Sequence, residues 1–337
     1  MTKRPAAAFL AGLALSAALA GCGSFLAKAA GVKGTGAGSG SQAGGGTATS
    51  LPYDVSSLLD PPSGKFLGVE APGVADSLAP VAKFARSIGR RPNIIGQYVA
   101  WNTPFPAQPV TRAWSYGALS YLAWEPFDIS VQSIAQGHRD AYITQFAKAV
   151  RALNLPVALS FGHEMNGSWY PWGTTHTTPA QFVAAWRRIH DLFIRAGATN
   201  VVWVWNPNDI YPVPEVQLKP YYPGNAYVDW IGITGYASTT GPQTYGSLYA
   251  PTVREIRTFS HKPFIIAETS VETSPGEVAS ARQVIISTVA QHADVLGLIW
   301  FDYNKDGVDW RLESRPILRA AVARDVARLQ LQDVKQR

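Results

Sequence analysis

The stretch GHEMNGSWYPWG, residues 162–173, joins a histidine and a glutamate to several aromatic residues. A zinc-protease helix needs His-Glu-x-x-His, in which two histidines one turn apart bind the metal. His163 and Glu164 begin that pattern, but Gly167 stands where the second histidine should be, and glycine is a poor helix former. The stretch therefore favours a sugar site, in which a carboxyl group donates a proton and aromatic rings stack on sugar faces.

A second carboxylate with similar surroundings is Glu268, within the apolar run PFIIAETS at residues 263–270. A charged side chain at the inner end of a buried strand costs free energy unless it is paired or used. Taken together with Glu164, it fits glycoside hydrolysis. One carboxyl group protonates the leaving oxygen, and the other, about 5–5.5 Å away, attacks the sugar. The alternative for either glutamate alone is a salt bridge at the rim of the fold.

Eight short apolar runs predict the strands that would position these residues. The runs are almost continuously apolar, which is typical of strands covered on both faces in a parallel sheet. Their ranges are 65–72, 93–101, 119–126, 157–164, 201–208, 228–236, 263–270 and 295–304. With helical segments between them, they predict a (β/α)8 TIM barrel of the α/β class, a single catalytic domain over residues 51–337. The alternative is an open, doubly wound sheet.

Helix boundaries are predicted from their terminal residues. Thr178-Pro179 supplies an N-cap and a first-turn proline, and the helix that they open ends at Gly197. The order SPGE at residues 274–277 has the spacing of a capping box. Residues 314–329 are predicted to form the closing helix.

Polar residues lie at the carboxyl ends of the predicted strands, where both folds place their functional groups. They are His163 and Glu164 in strand 4, Asn206 in strand 5, Tyr236 in strand 6, Glu268 in strand 7, and Asp302, Tyr303 and Asn304 in strand 8. Because these ends meet at one rim of a barrel, we expect the side chains to share a cleft.

Several motifs resemble family 26 of the glycoside hydrolases, a family of retaining enzymes built on (β/α)8 barrels. They are GHEMNGSWYPWG, VVWVWNPN at 201–208, PFIIAETS and IWFDYNKDGVDWR at 299–311, in the order that the family has them. The resemblance spans roughly residues 65–316. By position, it implies that Glu164 is the acid/base and that Glu268 is the nucleophile.

The resemblance also implies roles for side chains around the two glutamates. His163 would hold the sugar in subsite −1, Tyr236 would hydrogen-bond the nucleophile, and Trp300 would stack beneath the sugar ring. Further side chains are expected to bind substrate, the first two of them in neighbouring subsites: Trp169, Trp172, Asn206 and Trp101.

For several other residues of the same region, a structural role is the alternative to contact with substrate. Glu70 and Glu125 also lie near the ends of predicted strands, and we expect them to contact substrate or support the fold rather than to catalyse. Trp203 and Trp205 share one face of a strand and are expected in the core. Trp124, like Trp101, could face either the core or the cleft.

No cofactor and no catalytic metal are expected. His176 and His190 have no partner at metal-ligand spacing, and DYNKDGVDW at 302–310 lacks the spacing of a calcium loop. The formal net charge is +6, with the basic residues scattered along the chain. This pattern argues against nucleic-acid binding and suits a neutral polysaccharide substrate.

The first residues predict export and a lipid anchor. Lys3 and Arg4 precede an apolar run at 6–20 that is too short to span a bilayer, so residues 1–21 are predicted to be a signal peptide. LAGC at 19–22 resembles a bacterial lipobox, which implies lipidation of Cys22. Residues 22–50, rich in Gly, Ala, Ser and Thr, predict a flexible tether.

These observations predict a monomeric, membrane-anchored lipoprotein at the outer membrane or cell surface, with the periplasm as an alternative. Its expected activity is that of a retaining endo-β-glycanase on β-1,4-linked polysaccharide, with β-mannan the first candidate. Tyr170-Pro171 and AWEPFD at 123–128 depart from many mannanases of the family. Mixed-linkage β-1,3-1,4-glucan and an exopolysaccharide therefore stay open as substrates. A non-catalytic carbohydrate-binding lipoprotein is the alternative from another class.

Overall fold

The computed structural model describes residues 51–59, 64–305 and 307–335. The predicted signal peptide at 1–21, Cys22 and the tether at 22–50 lie outside the described residues. Within the described ranges, no helix combines the length and the apolar character that crossing a bilayer requires.

Over the described ranges, eight parallel strands pair in sequence order and close into a barrel, with the last strand against the first. They are β1 Phe66–Glu70, β2 Ile94–Ala100, β3 Leu119–Glu125, β4 Val157–Phe161, β5 Val201–Trp205, β6 Trp230–Thr234, β7 Phe264–Thr269 and β8 Val295–Phe301. Each strand lies inside one of the predicted apolar runs. The closed sheet confirms the (β/α)8 barrel and excludes the open sheet.

Helices connect the strands and cover the outside of the barrel. In chain order they are α1 Ser56–Leu59, α2 Ala79–Ile88, α3 Ala107–Tyr116, α4 Val131–Ala135, α5 Asp140–Leu153, α6 Pro179–Arg195, α7 Tyr245–Leu248, α8 Ala250–Arg257, α9 Glu277–Arg282 and α10 Pro316–Val326. Short 3₁₀ turns, Lys219–Tyr221 and Asn225–Tyr227, precede β6, and a π-helical segment, Gln283–Ala290, extends α9. A small antiparallel hairpin, β9 Asn304–Lys305 with β10 Val308–Asp309, follows β8. The strands are thus enclosed on both faces, which is why they read as continuously apolar.

The inside of the barrel is apolar at its base and acidic at its carboxyl end. Phe66 of β1 and Leu119 of β3 belong to the buried core inside the barrel. Since side chains alternate between the two faces of a strand, Glu70 shares the face of Phe66, and Glu125 shares that of Leu119. Both acids therefore point into the barrel near the ends of their strands.

The start of α6 is confirmed. The Thr178 hydroxyl accepts a hydrogen bond from the Gln181 amide, and the Gln181 side chain accepts one from the Thr178 amide, which completes a capping box. The helix ends at Arg195, and Gly197 then adopts a φ of 72°. This helix follows the loop that carries the first glutamate, so its cap fixes one end of that loop.

The prediction of a capping box at residues 274–277 is wrong. Helix α9 begins at Glu277, and its N-cap is Gly276, which has no side chain to accept a hydrogen bond. Glu277 instead pairs with the buried Arg315 at 2.6 Å and so joins α9 to the start of α10. The predicted closing helix is confirmed as α10, with shorter bounds.

Candidate active site

Glu164 lies in a turn that follows β4 directly. Gly162 and Glu164 both have a φ of +54°, a left-handed conformation that is costly for a residue with a side chain. The Glu164 amide donates a hydrogen bond to the Asn206 carbonyl at 2.7 Å. The backbone after β5 thus holds this strained turn, and the turn brings a buried carboxyl group to the mouth of the barrel.

The surroundings of Glu164 keep its carboxyl group protonated. Burial, followed by the charge of Glu268, raises its pKa to about 8, although a hydrogen bond from Trp169 opposes the shift. That bond runs from the indole Nε1 to Glu164 Oε2 at 2.8 Å. At neutral pH the side chain can therefore donate a proton. Glu164 and Glu268 both lie at the mouth of the barrel, where the charge of Glu268 acts on Glu164.

Glu268 reaches the mouth of the barrel through an irregularity in β7. Ala267 belongs to the core inside the barrel, so regular alternation would turn Glu268 outward. The register of β7 against β8 shifts between Ile266 and Thr269, and Glu268 pairs with Thr234 of β6. A local bulge of this kind re-aims a side chain. Here it turns the carboxylate inward.

Both oxygens of Glu268 accept hydrogen bonds from tyrosines. Tyr236 donates to Oε1, and Tyr98 donates to Oε2 at 2.5 Å. An ionised carboxylate only accepts hydrogen bonds, so two phenol donors suit the charged form and fix its orientation. The contact from Tyr236 is the one that the resemblance implied.

His163 is buried beside the acid. Burial, with a contribution from the charge of Lys305, lowers its pKa to about 3, so the imidazole is neutral. Nε2 lies 3.3 Å from the Tyr170 hydroxyl, and among the described residues Nδ1 has no hydrogen-bond partner. A neutral ring with an unpaired nitrogen is suited to binding a sugar hydroxyl.

Two further acids, Glu70 and Glu125, belong to this site. Glu70 Oε2 lies 3.1 Å from the Tyr98 hydroxyl. Burial, followed by the charge of Glu268, raises the pKa of Glu125 to about 8, with the charge of Lys305 opposing the shift. The cavity thus combines carboxyl groups from the ends of β1, β3, β4 and β7.

Trp172 does not line a subsite, which corrects the prediction. It is fully buried, its ring stacks on Tyr170 at 4.3 Å, and its Nε1 donates to the His163 carbonyl at 2.6 Å. The indole therefore supports the turn that carries His163 and Glu164. Trp169 by contrast is half-buried and contacts the acid directly.

Trp300 and Trp101 also lie outside the cleft, contrary to expectation. Trp300 is 1% exposed, and its register partners are Val69 and Thr269. Thr269 contacts Tyr249 beside α8, so this face of the sheet meets the helices. Trp300 therefore cannot stack beneath a sugar.

Trp101 stacks on Trp124 at 4.5 Å, and Trp124 in turn stacks on Phe146 of α5 at 4.3 Å. Both indoles belong to the layer between barrel and helices. Trp203 and Trp205 are buried as predicted. Trp205 donates from Nε1 to the Tyr221 carbonyl at 3.1 Å.

Asn206 supports the site rather than lining it. Its amide nitrogen donates to the Tyr121 hydroxyl at 3.0 Å, and its Oδ1 accepts from Thr234 at 3.3 Å. The side chain is thus used inside the barrel, while the backbone carbonyl holds Glu164. The predicted contact with substrate is replaced by a positioning role.

Sequence reasoning missed Tyr98, Lys305 and Trp310. Tyr98 contacts Glu268, the charge of Lys305 acts on Glu125 and Glu164, and Trp310 lies 5.1 Å from the ring of Tyr236. Tyr98 could have been found from the period of two along β2, since it shares the face of Ile94. Lys305 and Trp310 lie in the quoted motif 299–311, but only the hairpin brings them to the cleft.

In the part of the chain that the structure describes, no cluster of three His, Cys, Asp or Glu side chains could hold an ion. The expectation that catalysis needs no metal stays a prediction.

These features define a class of protein: a (β/α)8 barrel with a protonated glutamate and a tyrosine-held glutamate at the carboxyl ends of β4 and β7. The family model for glycosyl hydrolase family 26 matches residues 107–307. The chain is also 31% identical over 262 residues to Endoglucanase H of Acetivibrio thermocellus, across 74% of this chain and 29% of that protein. The chain therefore belongs to glycosyl hydrolase family 26.

Other relatives are similar over shorter or more distant matches. Mannan endo-1,4-beta-mannosidase A of Piromyces is 31% identical over 98 residues, which cover 29% of this chain and 14% of that protein. The chain thus spans less than a third of the length of these curated relatives. The structure of a GH26 beta-mannanase from Bacteroides ovatus superimposes with a TM-score of 0.62 at 14% identity. That match covers 84% of this chain and 94% of the other, and it supports the fold.

Proposed function

We propose that this protein is a retaining endo-β-glycanase that hydrolyses β-1,4-linked polysaccharide, with Glu164 as acid/base and Glu268 as nucleophile. The observation that carries the proposal is the contrast between two carboxyl groups in one cavity. Glu164 has its pKa raised to about 8, while Glu268 accepts hydrogen bonds from Tyr98 and Tyr236. Membership of the family supports the same assignment.

In the first step, Glu268 attacks the anomeric carbon while Glu164 donates its proton to the departing glycosidic oxygen. The covalent glycosyl ester at Glu268 is neutral. Because the charge of Glu268 contributes to the raised pKa of Glu164, forming the ester lowers that pKa. Glu164 can then act as a base and take a proton from the water that hydrolyses the ester, with retention of the anomeric configuration.

The first candidate substrate is β-mannan, because several relatives and similar structures are named mannanases. β-Glucan is the second candidate, and a different observation favours it. The relative that matches 74% of this chain is named an endoglucanase, whereas the Piromyces mannanase matches 29%. Glu125, in AWEPFD, is a candidate for distinguishing sugars. Its Oε1 is buried without a hydrogen-bond partner among the residues described.

The test is hydrolysis by the purified protein of mannan, glucomannan, barley β-glucan and xylan, measured as reducing ends. We expect release from at least one polymer, with retention visible in the proton NMR spectrum of the initial product. Glu268→Ala should lower kcat by about 10³-fold or more, since a covalent nucleophile contributes several kcal/mol. Glu215→Ala, at an exposed glutamate, is the matched control. Binding to a polymer without any release would favour the non-catalytic alternative.

We also propose that the protein is an exported monomer anchored through a lipid on Cys22, at the outer membrane or cell surface. Lys3, Arg4 and the LAGC sequence at 19–22 support this proposal. Labelling with radioactive palmitate should mark the wild-type protein and not Cys22→Ser. Label that persists in the variant would reject the anchor.

A further inference from the structure

Tyr98 lies between two carboxyl groups. Its hydroxyl oxygen is 2.5 Å from Glu268 Oε2 and 3.1 Å from Glu70 Oε2. A phenol carries one proton, so it can donate to only one of them. The other contact is a hydrogen bond only if that carboxyl group is protonated and donates to the phenol oxygen. The geometry therefore requires a proton on Glu70 or on Glu268.

The surroundings of the two carboxyl groups assign this proton to Glu70. Glu268 accepts a second hydrogen bond from Tyr236 and is 8% exposed. Glu70 is 0% exposed, and none of the described residues donates a hydrogen bond to its Oε1. A buried carboxylate with an unpaired oxygen is strongly disfavoured as an ion. In agreement, burial and then the charge of Glu268 raise the pKa of Glu70.

We propose that Glu70 is a neutral positioning residue: its carboxylic acid donates to the Tyr98 hydroxyl oxygen, and Tyr98 donates to Oε2 of Glu268. This inference rests on the proposed function of Glu268. A neutral acid orients the phenol proton toward Glu268 without placing a second negative charge beside it. An ionised Glu70 would instead compete with Glu268 for that proton.

The strand next to Glu70 leaves the space that this arrangement needs. Gly96 of β2 faces Glu70, and a Cβ atom at position 96 would overlap the Glu70 carboxyl group. The backbone of β2 therefore approaches the acid closely, and Tyr98, two residues further along the same face, receives its proton.

Other titratable side chains face Glu70 or Glu268 from the surrounding elements. They are Tyr121 and Glu125 of β3, Glu164 and Tyr170 after β4, Tyr236 after β6 and Tyr303 after β8. The tyrosines among them have raised pKa values, chiefly because they are buried, and so remain neutral. Any pH dependence measured for Glu70 must be separated from Glu125 and Glu164.

The first experiment compares Glu70→Gln, Glu70→Ala and Tyr98→Phe. A glutamine amide can donate to Tyr98 as the carboxylic acid does, so this variant should lose at most about fivefold in kcat. Alanine removes the donor and should cost about 10²-fold in kcat with little change in KM, because the nucleophile is misplaced. If Glu70 acted as an anion, glutamine would be as damaging as alanine, and that outcome would overturn the proposal.

A pH profile separates positioning from a purely structural role. Hydrogen bonds to a carboxylate favour its charged form, so Glu70→Ala and Tyr98→Phe should move the acidic limb of kcat/KM to higher pH. Glu70→Gln should leave that limb near its wild-type position. Loss of stability in urea with no movement of the limb in either variant would contradict the positioning role.

The protonation state can be measured without catalysis. At pH 7 the infrared spectrum should contain a band of a protonated carboxylic acid that Glu70→Gln removes, and Glu125→Gln and Glu164→Gln should identify the bands of the other two acids. A spectrum that Glu70→Gln does not change would overturn the inference even if every glycan is hydrolysed. A Glu70 band in a protein that cleaves no glycan would instead reject the proposed function.

Discussion

At the level of single residues, Glu164 and Glu268 have the same side chain, and their different surroundings separate the roles proposed for them. Glu164 is buried and receives one indole hydrogen bond, and its pKa is raised to about 8. Glu268 receives phenol hydrogen bonds on both oxygens. When two neighbouring carboxyl groups have different surroundings, one can stay protonated as an acid while the other is ionised as a nucleophile near neutral pH.

The acid role proposed for Glu164 predicts an alkaline limb in the pH profile of the activity. Glu164 donates a proton only while protonated, so kcat/KM on a polymer should fall as pH rises through about 8. Glu164→Gln should be much less active and should lack this limb. Because the pKa of Glu125 is also raised to about 8, Glu125→Gln is the matched control and should keep the limb. A limb that disappears in the Glu125 variant instead would reassign the proton donor.

At the scale of elements, the loop between β4 and α6 is held by its own aromatic residues. Trp172 stacks on Tyr170 and donates to the His163 carbonyl, while the Thr174 amide donates to the Gly167 carbonyl at 2.8 Å. The capping box of α6 closes the far end. The sequence GHEMNGSWYPWG is thus largely a scaffold for one turn, with Trp169 as its contact to the acid.

This scaffold role predicts how Trp172→Phe behaves. The variant keeps most of the ring stacking but loses the hydrogen bond to the His163 carbonyl, which should cost about 1–3 kcal/mol of unfolding free energy. It should also lower kcat, because the turn that carries Glu164 loosens. Urea unfolding and kinetics on a polymer measure both effects.

Trp205→Phe is the matched control, because it removes a similar bond to the Tyr221 carbonyl. It should cost similar stability with little loss of kcat. A rise in KM for Trp172→Phe with unchanged stability would restore the subsite role first expected for Trp172.

At the level of the whole molecule, the buried glutamates at the mouth of the barrel make the free energy of unfolding depend on pH. Glu125 and Glu164 retain their protons up to about pH 8 in the folded protein, whereas their ordinary pKa is 4.5. Between these values the folded state binds more protons than the unfolded state. The unfolding free energy should therefore decrease as pH rises from about 5 to 8.

Urea unfolding at pH 5 and at pH 8 tests this expectation. The Glu125→Gln/Glu164→Gln variant should show a weaker dependence on pH, and Glu215→Gln, at an exposed position, should behave like wild type. Asp140 and Asp309 have pKa values lowered chiefly by hydrogen bonds from Arg188 and Arg311, so their contributions are lost at more acidic pH. An unfolding free energy that increases from pH 5 to pH 8 would contradict the protonation of both glutamates.

Much of the architecture was predictable because a strand that is buried on both faces is apolar along its whole length. Each strand lies within a predicted apolar run, and Glu164 and Glu268 were found as charges at the ends of such runs. Because these runs are apolar throughout, the sequence does not show which face of the strand a side chain occupies. Trp101 and Trp300 were expected to bind sugar, yet the strand register turns Trp300 toward the helices, and Trp101 stacks on Trp124 outside the barrel.

The order of the strands and the two glutamates at the carboxyl ends of β4 and β7 could be read from the sequence, since apolar runs and the charges near their ends are local features. The surroundings of those glutamates depend on the folded barrel. The bulge that turns Glu268 inward depends on its pairing with β6 and β8. Glu70 meets Tyr98 because β1 pairs with β2 in the parallel sheet. Contacts between strands depend on register, and register is a property of the closed sheet rather than of any one segment.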